Sequence, residues 1–501
     1  MQLNQVPTTI FGMSKRLLSN IYFADKANGP KISVKSERGG FCGDCFDKQR
    51  ELDKLKEENT RLKAELGRRD NSDPSKFKGS SHRPSSREDL KSNTAEENRN
   101  KKGGAKKGHK GATRKAADPA SADEHRTVEL PSNCPDCGSD VESKGWDERR
   151  ILDCVAQKVQ EVYLEIARGY CSCCRKTVRA PISCLPKSLI GNQLQAEAIV
   201  QHYFDGITAG KVCQLMNGKV GDGTLLGSFH RIGKLFEPAS LGLLKEYRKT
   251  KVRHADETSW RTDGQSGYSW SFCSQYTTIF DFTNTRSAKI PAKILGTKKL
   301  NGFLVVDRYA GYNQVKCKIQ YCFAHLLREV QELEKQFSDD DEVIEFVKTF
   351  APMLAEAMRL ASHKLTDAEY YKRAKALKKE ILEAASSPAK HLAIRHIQDI
   401  FRSKKARLFH WVVDREVPSH NNFAERTVRG VVVARKISYG SQSEKGAKTR
   451  SILMTILYTA HSRLKSRDKL VEWFKETLDR LAAGYPPEKV YDLLPPKPPN
   501  G

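Results

Sequence analysis

The chain has 501 residues, enough for several domains, and a formal charge of +26 from 87 Lys and Arg against 61 Asp and Glu, which points to a polyanion, most simply nucleic acid. It has no run of about 18 apolar residues and no signal-peptide pattern at its start, so neither a membrane span nor export is expected. Its 13 cysteines, an odd number partly in CxxC pairs, suit metal binding in a reducing compartment better than a disulfide framework.

Residues 1–47 are left unassigned. Their Cys42-Gly43-Asp44-Cys45 pair is half a zinc site with no partner pair nearby, and reads as two loop thiols. Over 48–66, Leu52, Leu55, Asn59, Leu62 and Leu66 fall on a heptad seam, predicting a leucine-zipper-like helix. Asn59 at an interior position favours a parallel dimer, so a short coiled coil is preferred to a helix lying on its own chain. Residues 67–130 have little to bury and read as a disordered basic linker. Within it, 101–115 holds seven Lys and Arg and no acid, interrupted by glycines that let cations follow a phosphate backbone. Lys106, Lys107, His109 and Lys110 are the DNA-contact candidates there.

The segment 131–187 reads as a zinc ribbon. Cys134 and Cys137 repeat the spacing of Cys171 and Cys174, and two such pairs give a closed, structural four-thiolate site for one Zn2+. Cys173 is the alternative in the second pair, and Arg175, Lys176 and Arg179 follow it. Residues 158–166 alternate as a strand does, and 188–249 have helical periodicity.

From 250 to 465 the sequence presents three carboxylates on predicted elements. Asp256 lies in a strand, Asp307 closes the apolar run 302–306, and Glu425 is one turn into a helix capped by Asn421 or Asn422. Strands are also predicted over 268–273, 277–282 and 319–322, with helices over 287–295 and 325–337. Carboxylates gathered in this way repel one another unless divalent cations neutralise them. Two Mg2+ (or Mn2+) ions suit oxygen ligands and phosphodiester chemistry. Glu257 should face away from Asp256 on the strand, so that its alanine variant keeps substantial activity. Asp414 reads as a loop-shaping or DNA-facing residue, and His325 as a phosphate contact or a helix-start residue. A helical insertion is expected over 339–406, covering the site or packing structurally. Arg426, Arg429, Arg435 and Lys436 follow Glu425 as candidate DNA-binding cations. A core helix over 451–464 and a helical tail over 466–501 complete the chain.

These blocks, in this order, resemble the IS66 family of insertion-sequence transposases. The resemblance is carried by Asp256-Glu257-Thr258, by 307–312 (DRYAGY), by 322–328 (CFAHLLR), by 421–426 (NNFAER) and by Arg435-Lys436. It extends over roughly 103–495 and includes the GHKG block at 108–111 and the Leu493-Leu494-Pro495 ending. It implies a multidomain α/β protein whose ribonuclease-H-like DDE core, with a helical insertion, follows a zinc ribbon and a short coiled coil. It also implies that Asp256, Asp307 and Glu425 hold two metal ions that cut the element's ends and join them to target DNA. The expected partners are element ends, target DNA, further copies of the chain in a homodimer or higher assembly, and accessory element-encoded proteins. A cytoplasmic, nucleoid-associated location follows. The competing readings are a nuclease of the same fold without strand transfer and a non-catalytic DNA-binding descendant. The sequence departs from the family at Phe323 for Trp, Arg308 for Gly and Ile437-Ser438 for Asn-Trp, changes expected to bear on DNA contacts.

Overall fold

The computed structural model describes residues 119–155 and 158–499. The Cys42 and Cys45 pair, the zipper-like helix over 48–66 and the basic cluster of Lys106, Lys107, His109 and Lys110 lie outside the described residues.

The first sheet has four strands: β1 (Glu124–Val128), β2 (Glu142–Val155), β3 (Lys158–Cys171) and β4 (Lys176–Arg179). Both β2 and β4 run antiparallel to β3, whereas β1 pairs with β3 in parallel. Val162, Leu164 and Ile166 on β3 are buried, and Ile151 packs opposite Val162. The expected disordered linker therefore ends sooner than composition suggests. Val128, one of its few apolar residues, pairs with Ile166 of β3, about 40 residues away, and so joins a sheet that its neighbours in sequence cannot build.

Helices α1 (Asn192–Tyr203), α2 (Ala209–Leu215) and α3 (Asp222–Lys249) lead into the second sheet. Its strands are β5 (Val252–Thr262), β6 (Gln265–Ser274), β7 (Thr277–Thr283), β8 (Phe303–Val306) and β9 (Lys318–Tyr321), in the order β7-β6-β5-β8-β9. The first three are antiparallel neighbours, and β5, β8 and β9 are parallel. All four residues of β8 are buried, the continuous apolar run expected of a central parallel strand. The strand starts at a tight crossing: Gly302 has φ +84°, and a Cβ there would lie 2.0 Å from the Lys251 carbonyl oxygen. Between β7 and β8 lies α4 (Lys289–Leu295), and α5 (Phe323–Gln336) follows β9.

The insertion is a set of three helices, α6 (Asp341–Arg359), α7 (Asp367–Ala384) and α8 (Leu392–Ser403). Phe323 at the start of α5 meets Phe401, Phe409 and Trp411 edge-on at 5.9–6.1 Å, tying the insertion and the segment after it to the sheet. Helices α9 (Asn422–Ser438), α10 (Glu444–Leu464) and α11 (Arg467–Ala482) close the chain. The segments 188–249, 250–465 and 466–501 are not packed as separate cores. One continuous set of buried apolar side chains runs from Val159 through Phe229, Trp270, Leu333 and Leu457 to Val490. No described helix is long and apolar enough to cross a membrane.

Candidate active site

The four cysteines come together. Cys134 and Cys137 lie on the loop before β2, Cys171 ends β3, and Cys174 lies in the turn to β4. Their sulfur atoms all lie within 4.8 Å of one another, with Cys134 3.5 Å from Cys174 and Cys137 3.4 Å from Cys171. Each pair is followed by a residue in the left-handed region, Gly138 (φ +73°) and Arg175 (φ +55°), so the two knuckles turn alike. The backbone at Ser139 lowers the Cys137 thiol to about 6, whereas burial pushes Cys174 up to about 12. Four thiols this close fit one tetrahedral zinc ion. Cys173 is exposed and outside the group.

The second site forms where β8 ends beside the middle of β5, the carboxyl end of a parallel strand being a common place for ligand-binding residues. Val252 pairs with Phe303 and His254 with Val305, and continuing that register sets Asp256 level with Asp307. Asp256 accepts the Glu257 N–H and Asp307 the Tyr309 N–H, each at 2.9 Å. Neither carboxylate makes an ion pair with a described residue. Burial raises Asp256 well above the usual carboxylate range, with added repulsion from Glu257, Asp307 and Glu425. Burial, then the Glu257 charge, raises Asp307 to about 7. Among the described residues, the groups of three or more His, Cys, Asp or Glu with ligand atoms within 4.8 Å are the four cysteines and a set of Cys322, His325 and Glu425. Asp256 and Asp307 are in neither group.

Glu257 belongs to the other face of β5. Its carboxylate accepts from Arg286 at 2.5 and 2.8 Å and from the Tyr312 hydroxyl at 2.6 Å, and it is almost fully buried. Arg286 also lies 4.0 Å over the Tyr309 ring. Gly311 allows this packing, since a Cβ there would stand 2.2 Å from that ring. Glu257 is thus the counter-charge of half-buried Arg286, a role its place in the sequence does not reveal. Sequence reading found the acid but not Arg286, about 30 residues on, because nothing local links them.

Glu425 sits in the first turn of α9, partly exposed, and receives two hydrogen bonds from Arg328 of α5, at 3.0 and 2.8 Å. His325, one turn before Arg328, brings Nδ1 to 3.8 Å from Glu425. Asn421 is at the N-cap position of α9, but its side chain makes no cap there. It instead donates to the Ala255 carbonyl at 2.8 Å and accepts from His254 Nδ1 at 3.0 Å, while its N–H reaches the Cys322 sulfur at 3.0 Å. Asn421 thus fixes α9 against β5 and so sets where Glu425 stands. Burial lowers His254 to about 4, which keeps this ring neutral with its Nδ1 proton donated.

The candidate cations divide. Arg426 and Arg429 are exposed, and Lys436 is exposed too. Arg435 is buried, and bonds the Thr258 hydroxyl at 3.2 Å and the Ser259 carbonyl at 3.0 Å. It holds α9 to β5 and does not face solvent. Asp414 pairs with Lys251 at 2.9 Å and accepts the Glu416 N–H at 3.2 Å, as a loop-shaping residue would. Two of the family departures turn out to be packing features: Phe323 lies in the aromatic cluster, and Arg308 pairs with fully buried Glu329 at 2.5 Å.

The family model "Transposase IS66 family" matches residues 187–449, from just before α1 into α10 and across all three acids. The chain is also similar to an uncharacterized protein of Sinorhizobium fredii, y4qI, with 29% identity over 93 residues. That alignment spans 19% of this chain and 17% of the relative.

Proposed function

This chain belongs to the IS66 transposase family, and from that premise we propose that it binds the ends of an insertion sequence, cuts them and joins them to target DNA. A transposase role follows from the family, and DNA is the substrate of such a role. The observation that supports the finer reading is the β5–β8 register, which continued by two residues sets Asp256 in β5 level with Asp307 just after β8, with Glu425 in the first turn of α9. The sheet order β7-β6-β5-β8-β9, antiparallel then parallel, supports a ribonuclease-H-like core.

The donor set fits Mg2+ or Mn2+. Asp256 and Asp307 are buried, burial and the charge of Asp307 raise Asp256, and the candidate ligands are all oxygens. Bound there, the ions supply an activated water and neutralise charge developing on the phosphoryl oxygens. The chain's own residues position the acids. Asn421 fixes α9, the Tyr309 N–H orients Asp307, and Arg328 holds Glu425. Arg429, one turn beyond Glu425 on the same helix face, and Arg426 are the exposed cations that position phosphates. In the first reaction water oxygen bonds to phosphorus and the strand's 3′ oxygen leaves with a proton. In the second that 3′-hydroxyl attacks a target phosphodiester, whose own 3′ oxygen departs.

Asp256→Asn, Asp307→Asn and Glu425→Gln should each lower cleavage and joining by at least about a hundredfold, since small misplacements of reacting groups already cost that much. Binding to element ends, measured by gel shift, should persist, because affinity comes from phosphate contacts. A Glu425→Gln protein that joins ends at the normal rate in Mg2+ would remove Glu425 from the site. Cleavage without joining would favour the nuclease reading.

A further inference from the structure

We propose that Cys322, His325 and Glu425 form a second metal site for a borderline-soft divalent ion such as Zn2+, and that filling it withdraws Glu425 from the acid triad. The proposal rests on the reading of Glu425 as the third acid of that triad. Cys322 is the residue before α5, His325 is the third residue of that helix, and Glu425 lies in the first turn of α9. Their ligand atoms all stand within 4.8 Å of one another.

A second observation points to a ligand. His325 is buried, and its Nδ1 has no hydrogen-bond partner, although a buried polar nitrogen left unpaired is costly. That atom lies 3.8 Å from Glu425 Oε1, beyond hydrogen-bonding range. An ion between them would satisfy it. One sulfur, one imidazole nitrogen and one carboxylate oxygen suit zinc and disfavour magnesium, and three protein ligands leave a fourth position for water. The Asn421 N–H at 3.0 Å from the Cys322 sulfur is the kind of donor that orients a thiolate ligand. Binding would release the thiol proton to solvent. Arg328, nearly half exposed, can turn out to water as the ion takes an oxygen of Glu425. The two sites then compete for a single carboxylate: hard ions act at the acids, and a softer ion at the cysteine silences them.

The test uses the full chain with zinc already in its four-cysteine site. Added Co2+ should bind with a sulfur-to-cobalt charge-transfer band that is lost in Cys322→Ser and weakened in His325→Asn. Circular dichroism checks that each variant is folded. If the serine variant unfolds, the asparagine variant decides. Wild-type spectra in both variants, or no added cobalt bound by the wild type, would overturn the site. In the cleavage assay, low Zn2+ added to Mg2+ should slow the wild type, whereas the ratio of rates with and without zinc should not change in Cys322→Ser. Binding without slowing would overturn the shared carboxylate. A wild type that never cleaves in Mg2+ would instead overturn the triad reading, and the cobalt spectra would still decide the site.

Discussion

Removing the Glu257 carboxylate leaves Arg286, half-buried over the Tyr309 ring, without its counter-charge. Breaking such a pair from one side costs about 3–5 kcal/mol, because the remaining charge stays desolvated. Glu257→Ala should therefore lower the urea midpoint strongly, and Glu257→Gln, which keeps an acceptor, less so. An unchanged midpoint for the alanine protein would show that Arg286 finds another partner. His202 offers a pH test away from the metal sites. Its Nδ1 donates to the Ile207 carbonyl at 2.7 Å, its Nε2 accepts from Arg450 at 3.1 Å, and its ring stacks on Phe229. Burial, then the Arg450 charge, lowers it from 6.5 to about 3. The unfolded chain thus binds the extra proton between those values. The stability that His202 contributes is complete above about pH 6.5 and falls as pH drops towards 3. His202→Gln should flatten the dependence of Tm on pH in that window, and a slope equal to the wild type's would count against this assignment.

At the scale of elements, β7 is an edge strand whose outward amides are not left open. The Thr278 and Phe280 N–H groups donate to the hydroxyls of Thr459 and Thr455 on α10, at 3.0 and 2.9 Å. A helix thus covers an edge that could otherwise pair with another chain. Thr455→Val preserves shape but strands the Phe280 amide, a loss of about 1–3 kcal/mol. Hydrogen exchange at Phe280 should quicken while amides of β8 stay protected. Equal exchange in both proteins would mean that another group caps that amide. Asn421 gives α9 its position against the sheet, since its side chain bonds β5 and not the helix's own amides. Sequence supports a helix start at this asparagine. Its partners, more than 160 positions earlier, are visible only in three dimensions.

At the scale of the whole molecule, the four-cysteine sheet and the five-stranded sheet are joined where β2 meets α1. Asp153 accepts the Leu194 N–H at 3.2 Å there, and Arg149 donates to the Ser188 carbonyl. Thiolate ligation of zinc contributes folding free energy directly. Cys137→Ser should lose one zinc per chain and loosen β1 to β4, while the apolar core of the five-stranded sheet keeps its protection. Metal analysis giving the same zinc content in both proteins would contradict the ligand set. A loss of protection throughout would mean that the two sheets fold as one cooperative unit.

The sequence by itself determined whatever is written in local spacing. The CxxC pairs marked the four sulfurs, period-two and period-3.6 patterns marked the strands and helices of the α/β region, and Asp256, Asp307 and Glu425 stood out by their places in a strand, after a strand and in a first helical turn. Even the opposite facing of Asp256 and Glu257 follows from the strand's period. Tertiary structure alone decided the partners. It buried Arg435 under β5, gave Arg286 to Glu257 and Arg328 to Glu425, brought Val128 into a sheet, and merged the segments on both sides of the insertion into one core. The physical reason is range. Backbone periodicity is set by neighbours a few residues apart, whereas burial and ion pairing are set by whichever distant groups the packed sheet brings within a few ångströms.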